Sequence, residues 1–233
     1  MAGKRSYDDP CGVARALGAV GERWALLVVR ELLHGPKRFG DLSRGLPGMS
    51  QNVLSQRLRE LEAADVVRRV RLGPPASTSG YELTERGALL EPVLFALATW
   101  GSRLPLGTGS DAELSVDALV LALRTTFDPA AADDLRVVCE LRMGDDRFRA
   151  EIGDARFRAT RATASASASA SAESAAALPV PDAVLTAGVG TLRALVFGGR
   201  PLADALRAGD AHLTGDRRRA ARFLACFPRP PIA

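Results

Sequence analysis

The amino-acid sequence predicts two domains: a mainly α-helical N-terminal domain that carries a β-hairpin, and a C-terminal α+β domain in which helices pack on a mostly antiparallel sheet. The length allows this, because 233 residues are enough for two globular cores. Apolar residues recur at helical spacing in the first half and alternate with a strand period between about 135 and 159. We therefore expect domains at 1–104 and 113–233, joined by a Gly- and Ser-containing linker at 105–112.

The composition excludes several classes of protein. Residues 1–105 contain 15 Lys/Arg and 11 Asp/Glu, whereas 106–233 contain 16 of each, so the net charge of +4 lies in the first half. No apolar run approaches the roughly 18 to 20 residues that cross a bilayer, and the start is polar, so we expect a cytoplasmic protein without a membrane partner. Three widely spaced cysteines and two histidines predict neither a disulfide framework nor a metal site. Without a recognisable catalytic or nucleotide-binding motif, we expect neither an enzyme nor a cofactor.

The N-terminal helices are separated by residues that break helices. Apolar periodicity predicts three short helices, over residues 11–20, 24–33 and 38–46. His34-Gly35-Pro36 and Pro47-Gly48 end the second and third of them. Ser50 is well placed to cap a longer helix that runs to about Ala64.

That longer helix has two unlike faces. Leu54, Leu58 and Leu61 fall on one side. The opposite face carries amide, hydroxyl and guanidinium groups, from Gln51, Asn52, Ser55, Gln56 and Arg59. Groups of these kinds read base edges, whereas a merely solvated face, the alternative, usually carries Lys and Glu at salt-bridge spacing. We therefore interpret the polar face, with Ser50 at its start, as a surface that reads the major groove.

A basic hairpin follows this helix. Val66–Leu72 and Tyr81–Leu83 have the composition of strands, and a flexible loop that ends at Gly80 joins them. In a winged helix-turn-helix the polar helix enters the major groove and the hairpin tip lies over phosphates or the minor groove. We therefore predict a domain of this class that binds double-stranded operator DNA, with phosphates held by Arg38, Arg69 and Arg71.

The last helix of the first half lacks a partner within its own domain. It should break or restart near Pro92, and an apolar stripe follows that proline. A homodimer would cover the stripe and would place two recognition helices about one DNA turn apart. The residues predicted at this dimer surface are Val13, Leu17, Val93, Leu97 and Trp100.

Several segments of the first half occur together in a known family. They are Cys11–Leu17, Gly21–Leu27, Arg30–Leu32, Gly35–Leu42, Leu54–Glu62, Tyr81–Thr84, Pro92–Leu94 and Trp100-Gly101. In their order and spacing, residues 10–102 resemble the HxlR-type transcriptional regulators, relatives of the MarR group. The resemblance implies a dimeric winged-helix protein that binds operator DNA, usually as a repressor. It also places Cys11 where a cysteine of that family can sense oxidants or electrophiles; an inert, half-buried cysteine is the alternative.

The second half changes from a helical period to a strand period and back. After a helix over 115–127, three half-buried strands of a meander are predicted near Leu135–Leu141, Phe148–Ile152 and Phe157–Ala159, with an arginine-rich outer face that we interpret as solvated. The Ser/Ala tract at 163–172 is expected to be a loop or a loose edge strand. A strand, two helices, a strand and a helix complete the predicted order, at 183–186, 189–197, 202–208, 212–215 and after Asp216.

Phrases in this half are similar to sterol-carrier-protein-like domains. They are Pro181–Thr186, Leu195–Gly199, Leu202–Leu206 and Gly209–Asp216, within a region of about 113–228. The resemblance implies a lipid-binding type of fold with an apolar cavity between sheet and helices. The residues predicted to line it for a small apolar ligand are Phe148, Ile152, Phe157 and Phe197. Ligand sensing and added dimer surface are both open as its role.

The sequence therefore predicts a dimeric, sequence-specific transcriptional regulator that acts as a repressor and is controlled by a small apolar ligand. The alternative is a small-molecule or lipid binding protein whose winged helix serves only for dimerisation.

Overall fold

The structure, a computed structural model, describes residues 7–73, 78–104, 113–162 and 180–228. The chain divides into two units, residues 1–97 and 98–233. The predicted linker at 105–112 lies outside the described residues, as do most of the hairpin loop and the Ser/Ala tract. In the part of the chain that the structure describes, no helix is long and apolar enough to cross a membrane.

The N-terminal unit follows the predicted winged helix-turn-helix order. Its elements are α1 (Gly12–Val20), α2 (Ala25–Leu32), α3 (Phe39–Gly45), α4 (Gln51–Ala63), β1 (Val67–Leu72), β2 (Thr78–Leu83), α5 (Glu85–Ala88) and α6 (Glu91–Gly101). The boundary between the two units falls within α6, after Leu97. The break predicted near Pro92 is confirmed, because α5 ends before α6 begins at Glu91. Ser50 caps α4 as predicted: its Oγ accepts the Val53 N–H at 3.4 Å.

The core of this unit lies between the helices and the hairpin. Val28, Leu32, Leu42, Leu54 and Leu58 are almost fully buried. Each burial of such a side chain contributes about 1.5 to 3 kcal/mol of transfer free energy. The apolar faces of α2, α3 and α4 are thereby fixed inward, and the polar face of α4 is left outward.

An isolated one-residue β-bridge lies beside the two-stranded sheet. The sequence did not predict it: Lys37 and Tyr81 exchange two backbone hydrogen bonds, with N···O distances of 2.9 and 2.8 Å. The segment between α2 and α3 is thus tied directly to the second strand of the hairpin. A bridge of one residue on each side is too short to show a strand periodicity in the sequence.

The C-terminal unit is a mixed five-stranded sheet with helices. Its elements are α7 (Val116–Thr126), α8 (Pro129–Ala132), β3 (Val137–Met143), β4 (Asp146–Gly153), β5 (Arg156–Arg161), β6 (Ala183–Ala187), α9 (Val189–Phe197), α10 (Leu202–Arg207), β7 (Ala211–Gly215) and α11 (Arg217–Ala225). The strand order is β5-β4-β3-β6-β7. The predicted meander is confirmed, and only the β3–β6 pairing is parallel in the described sheet. Asp128-Pro129 ends α7 as predicted and also opens the short α8, which was not predicted.

The sheet has one buried face. Side chains alternate between buried and half-buried along β3 and β4, as the strand period predicted. Leu119 and Leu123 of α7, Leu192 of α9 and Phe223 of α11 belong to the same buried core as the inward-facing strand residues. The opposite face is the arginine-rich one.

Candidate nucleic-acid interface

The exposed face of α4 presents the predicted reading groups. Gln51, Asn52, Gln56 and Arg59 are exposed and Ser55 is half-buried. Beneath them Leu54, Leu58 and Leu61 are at most 1% exposed, so the helix cannot rotate without exposing its core face. The structure therefore places all five predicted residues on one outward surface, beginning at the Ser50 cap.

Part of this surface is already hydrogen-bonded. The Gln56 amide donates to Glu60 Oε1 at 2.7 Å and accepts from Arg59 Nη2 at 2.8 Å. Base contacts by Gln56 or Arg59 can use only the N–H groups and lone pairs that these two bonds leave over, or must replace the bonds. The side chains of Gln51 and Asn52 make no hydrogen bond to another described residue, so their amide groups are available without this restriction.

Arg57 is a positioning residue that the sequence prediction missed. Its side chain is only 11% exposed and forms ion pairs with Glu60, in the next turn, and with Glu22 Oε2 at 3.7 Å, just before α2. It holds α4 against the segment between α1 and α2. A signal existed in the sequence, because Arg57 lies between the polar and the apolar face of the helix.

The three arginines predicted to hold phosphates differ in their surroundings. Arg38 and Arg71 are exposed and make no ion pair with another described residue. Arg69 donates from Nε to Glu62 Oε1 at 3.0 Å, and its guanidinium carbon lies 5.6 Å from the centre of the Tyr81 ring. The hydrogen bond to Glu62, with Tyr81 nearby, raises the pKa of Arg69. Glu62 thus offsets the charge of Arg69 and occupies its Nε, while the other N–H groups of Arg69 can still donate; Arg71 has no such ion pair with another described residue.

A buried carboxylate anchors the hairpin to the helices. Glu31 of α2 is fully buried and accepts from Lys37 Nζ at 2.7 Å and from Arg30 Nη2 at 2.8 Å. Because the backbone of Lys37 also bonds to the backbone of Tyr81, α2 and the hairpin are joined through this one residue. The geometry fixes the place at which the hairpin leaves the helical body.

The predicted dimer residues are exposed apolar side chains. The exposed fractions are 69% for Val13, 44% for Leu17, 46% for Val93, 44% for Leu97 and 65% for Trp100. The last three share one face of α6 by their helical spacing. Exposure of this kind fits a surface that a second copy covers, although a single exposed apolar residue would need no explanation.

The three cysteines have different environments. Cys11 is exposed at the N-cap of α1, and its Sγ accepts the Ala14 N–H at 3.3 Å. Burial raises the pKa of the Cys139 thiol to about 12. Burial also raises the pKa of Cys226, whose Sγ donates to the Arg222 carbonyl at 3.2 Å. Cys11 is therefore the accessible thiol of the three.

The four residues predicted to line an apolar pocket lie in or against the C-terminal core. Phe148 and Ile152 are at most 3% exposed, and the guanidinium carbon of Arg161 lies 4.5 Å from the Phe148 ring centre. Phe157 and Phe197 are only partly buried. The Phe157 ring centre lies 4.9 Å from that of Phe227, which gives it a close edge contact. Among the described residues, no group of His, Cys, Asp and Glu side chains could hold a metal ion.

Comparison with known proteins finds a family that matches the N-terminal part of the chain. The profile of the HxlR-like helix-turn-helix family matches residues 19–105. The HTH-type transcriptional regulator YtcD of Bacillus subtilis is 36% identical over 99 residues, which are 42% of this chain and 77% of YtcD. The HTH-type transcriptional regulator Mb3122 of Mycobacterium bovis is 41% identical over 103 residues, 44% of this chain and 65% of Mb3122.

A third relative has solved structures. YodB of Bacillus subtilis, an HTH-type transcriptional regulator, is 35% identical over 88 residues, 38% of this chain and 79% of YodB. The structure of its reduced form aligns with 41% of this chain and 94% of its own at 33% identity, with a TM-score of 0.37. A quinone-bound form of YodB has also been solved. The family profile ends at residue 105 and leaves the C-terminal unit without an identified fold.

Proposed function

This chain belongs to the HxlR-like helix-turn-helix family, and from that premise we propose that it is a sequence-specific repressor that binds operator DNA as a homodimer. The family makes it a DNA-binding transcriptional regulator of the HxlR/MarR type. Repression, the operator contacts and the dimer surface are proposals. A repressor of this kind acts on the chromosome, so its proposed place of action is the cytoplasm.

The observation that carries the proposal is the outward polar face of α4 above a rigid apolar core. Gln51, Asn52, Ser55, Gln56 and Arg59, with Ser50 at the cap, would enter the major groove. Gln51 and Asn52 would read bases first because their amide groups are not engaged. Arg38 and Arg71 would hold phosphates without a competing ion pair, and Arg69 would do so with the N–H groups that Glu62 does not use.

A mobility-shift titration of the full chain tests this proposal. The probes are the DNA upstream of the protein's own gene and a scrambled duplex of equal length. Arg71→Ala should weaken binding to both duplexes and reduce the salt slope by about one, because one phosphate contact is lost. Gln51→Ala should change preference between duplexes and leave the salt slope unchanged. Equal, weak binding of the wild-type chain to both would contradict sequence-specific regulation and favour the lipid-binding alternative.

We further propose that modification of Cys11 alters DNA affinity. Exposure at the N-cap of α1 makes this thiol reachable, and α1 also carries the proposed dimer residues Val13 and Leu17. Diamide should change the affinity of the wild-type chain for operator DNA and leave Cys11→Ser unaffected. An affinity that diamide leaves unchanged, or changes equally in Cys11→Ser, would remove this role.

Control by a small apolar ligand is the remaining proposal, and it rests on the resemblance of residues 113–228 to sterol-carrier domains. Phe148 and Ile152 are packed in the core, so a ligand would have to displace Phe157 or Phe197 to reach them. A ligand controls DNA binding only if it binds the two states unequally. Native mass spectrometry of the full chain should show a co-purifying apolar molecule, and its absence at every preparation would count against ligand control.

A further inference from the structure

The open face of the C-terminal sheet has a notch at the end where β4 finishes and β5 begins. A cavity of about 600 Å³ is found there, within the range of small-molecule sites. Its lining includes Arg136, Val138, Gly153, Arg156 and Arg158. The site is separate from the buried core side of the sheet, where an apolar ligand was predicted.

The floor of the notch is a residue without a side chain. Gly153 of β4 pairs with Arg156 of β5, and Arg136 lies one residue before the Val137–Ile152 pair on the other side. A Cβ built on Gly153 meets no atom within 4 Å, so the space above it is open. Neighbouring strands are about 4.8 Å apart, which places the backbones of Arg136 and Arg156 roughly 10 Å apart across this open floor.

The carboxylates around the notch are already neutralised. Four arginines and three acidic residues line it. Asp154 pairs with Arg136 and Glu151 with Arg149. Asp182 accepts from Arg219 Nη1 at 2.6 Å and from the Val138 N–H at 2.8 Å.

Arg156 and Arg158 differ from these pairs, because neither makes an ion pair with another described residue. Both are exposed and both lie on β5, with alternate spacing on one face of the strand. Two planar guanidinium groups side by side can each donate paired hydrogen bonds to an oxyanion. Glu151 lies opposite Arg158 in the sheet register but pairs with Arg149, which does not line the notch. The lining as a whole carries a net charge of +1, and Arg156 and Arg158 are its guanidinium groups without an ion pair to another described residue.

We propose that this notch binds a small organic phosphate, with the phosphate group held by Arg156 and Arg158 over Gly153. Two guanidinium groups that make no ion pair with another described residue can donate to the oxygens of a phosphomonoester, which carries close to two negative charges near neutral pH. A cavity of about 600 Å³ is larger than a phosphate ion needs, so it also accommodates an organic group. The half-buried side chain of Val138 offers that group an apolar contact.

Isothermal titration of the full chain with phenyl phosphate tests the proposal, with inorganic phosphate and phenol as partial probes. Phenyl phosphate should bind saturably and more tightly than either partial probe. The double variant Arg156→Ala/Arg158→Ala should lose at least about tenfold in affinity, since two charge-assisted contacts are removed. Gly153→Leu should abolish binding, because the leucine side chain would fill the notch. Gly153 does not have a positive φ, so the backbone there can accept a leucine without strain.

Arg147→Ala is the matched control. Arg147 is an exposed arginine on the same strand face as Glu151, at the other end of β4, and its loss should leave binding unchanged. Circular dichroism establishes that each variant is folded, and the arginine variants alter only exposed side chains. No saturable binding of phenyl phosphate, equal affinity for inorganic phosphate, or an equal loss in Arg147→Ala would overturn the proposal. Displacement of phenyl phosphate by a short non-specific duplex would assign the arginines to nucleic acid and overturn it as well.

Discussion

Gly45, at the end of α3, has no room for a side chain. A Cβ there would lie 2.2 Å from Glu31 Oε2, in the buried ion-pair group of Glu31, Arg30 and Lys37. The carboxylate cannot move away freely, because it is fully buried and held by two cations. This glycine is therefore required for packing, and its position would not be identified from turn preferences alone.

We predict that Gly45→Ala destabilises the N-terminal unit by about 1 to 3 kcal/mol, as overpacking does. Both tryptophans, Trp24 and Trp100, lie within the first 104 residues, so tryptophan fluorescence during urea unfolding reports on this part of the chain. Gly40→Ala is the matched control in the same helix. A Cβ at Gly40 meets nothing within 4 Å, and Ala there should be neutral or stabilising by up to about 1 kcal/mol. Equal effects of the two substitutions would contradict the steric explanation.

A second buried ion pair holds the C-terminal unit. Asp117 at the start of α7 is fully buried and accepts two hydrogen bonds from Arg161 Nη2, both at 2.7 Å. Arg161 also pairs with Asp146 and covers the Phe148 ring. One arginine thus joins α7, the start of β4 and the last residue of β5.

We predict that Asp117→Ala destabilises this unit by about 3 kcal/mol, because it leaves a largely buried guanidinium with fewer partners. Far-UV circular dichroism during urea unfolding measures the change. Asp134→Ala is the control, since Asp134 is 83% exposed and pairs with the exposed Arg222. Its effect should stay within about 0.5 kcal/mol. A similar loss of unfolding free energy in both variants would contradict the claim that burial makes the Asp117–Arg161 pair more stabilising than an exposed pair.

At the scale of elements, caps and breakers made the helices predictable. Ser50 caps the start of α4. Asp216 caps α11, and its carboxylate accepts the backbone N–H groups of Arg218 and Arg219. The strand period of 135–159 gave the meander with its correct inward residues. These signals are local, so they can be detected without knowing the rest of the fold.

Long-range pairings could not be predicted in the same way. The parallel pairing of β3 with β6 joins segments that lie more than 40 residues apart, and the Lys37–Tyr81 bridge involves one residue on each side. At the candidate interface, the residue types of α4 were predictable from its two faces. The hydrogen bonds that link Gln56 to Arg59 and to Glu60 were not predictable, because they depend on side-chain rotamers.

The apolar face of α6 leads to a prediction about assembly. If a second copy covers it, Trp100→Asp should place a charge in the interface and shift the chain toward a monomer, since unpaired buried charges are costly. Analytical ultracentrifugation at several concentrations measures the shift. Ala221→Asp, at an exposed position of α11, should leave the dimer intact. A wild-type chain that is monomeric at all concentrations would contradict the proposed dimer surface.

In the whole molecule, the half that carries the excess positive charge is also the half that carries the proposed DNA-binding surface. The excess of +4 lies in residues 1–105, most of which the family profile covers, and the longer second half is neutral overall. A net charge of +4 per chain is modest, so DNA binding depends on local placement and on two copies acting together. In the neutral half, the buried Asp117–Arg161 pair is a structural use of charge, and Arg156 and Arg158 carry the proposed binding site.

Selection from a pool of random DNA duplexes on the full chain tests the central claim most directly. We predict that sequencing of the bound fraction recovers an inverted repeat with half-site centres about one helical turn apart, roughly 10 base pairs. Gln51→Ala or Asn52→Ala should change the preferred bases within each half-site and keep the spacing, because α4 reads bases while the dimer sets the distance. A bound fraction with no enriched sequence would contradict the claim that this protein is a sequence-specific regulator.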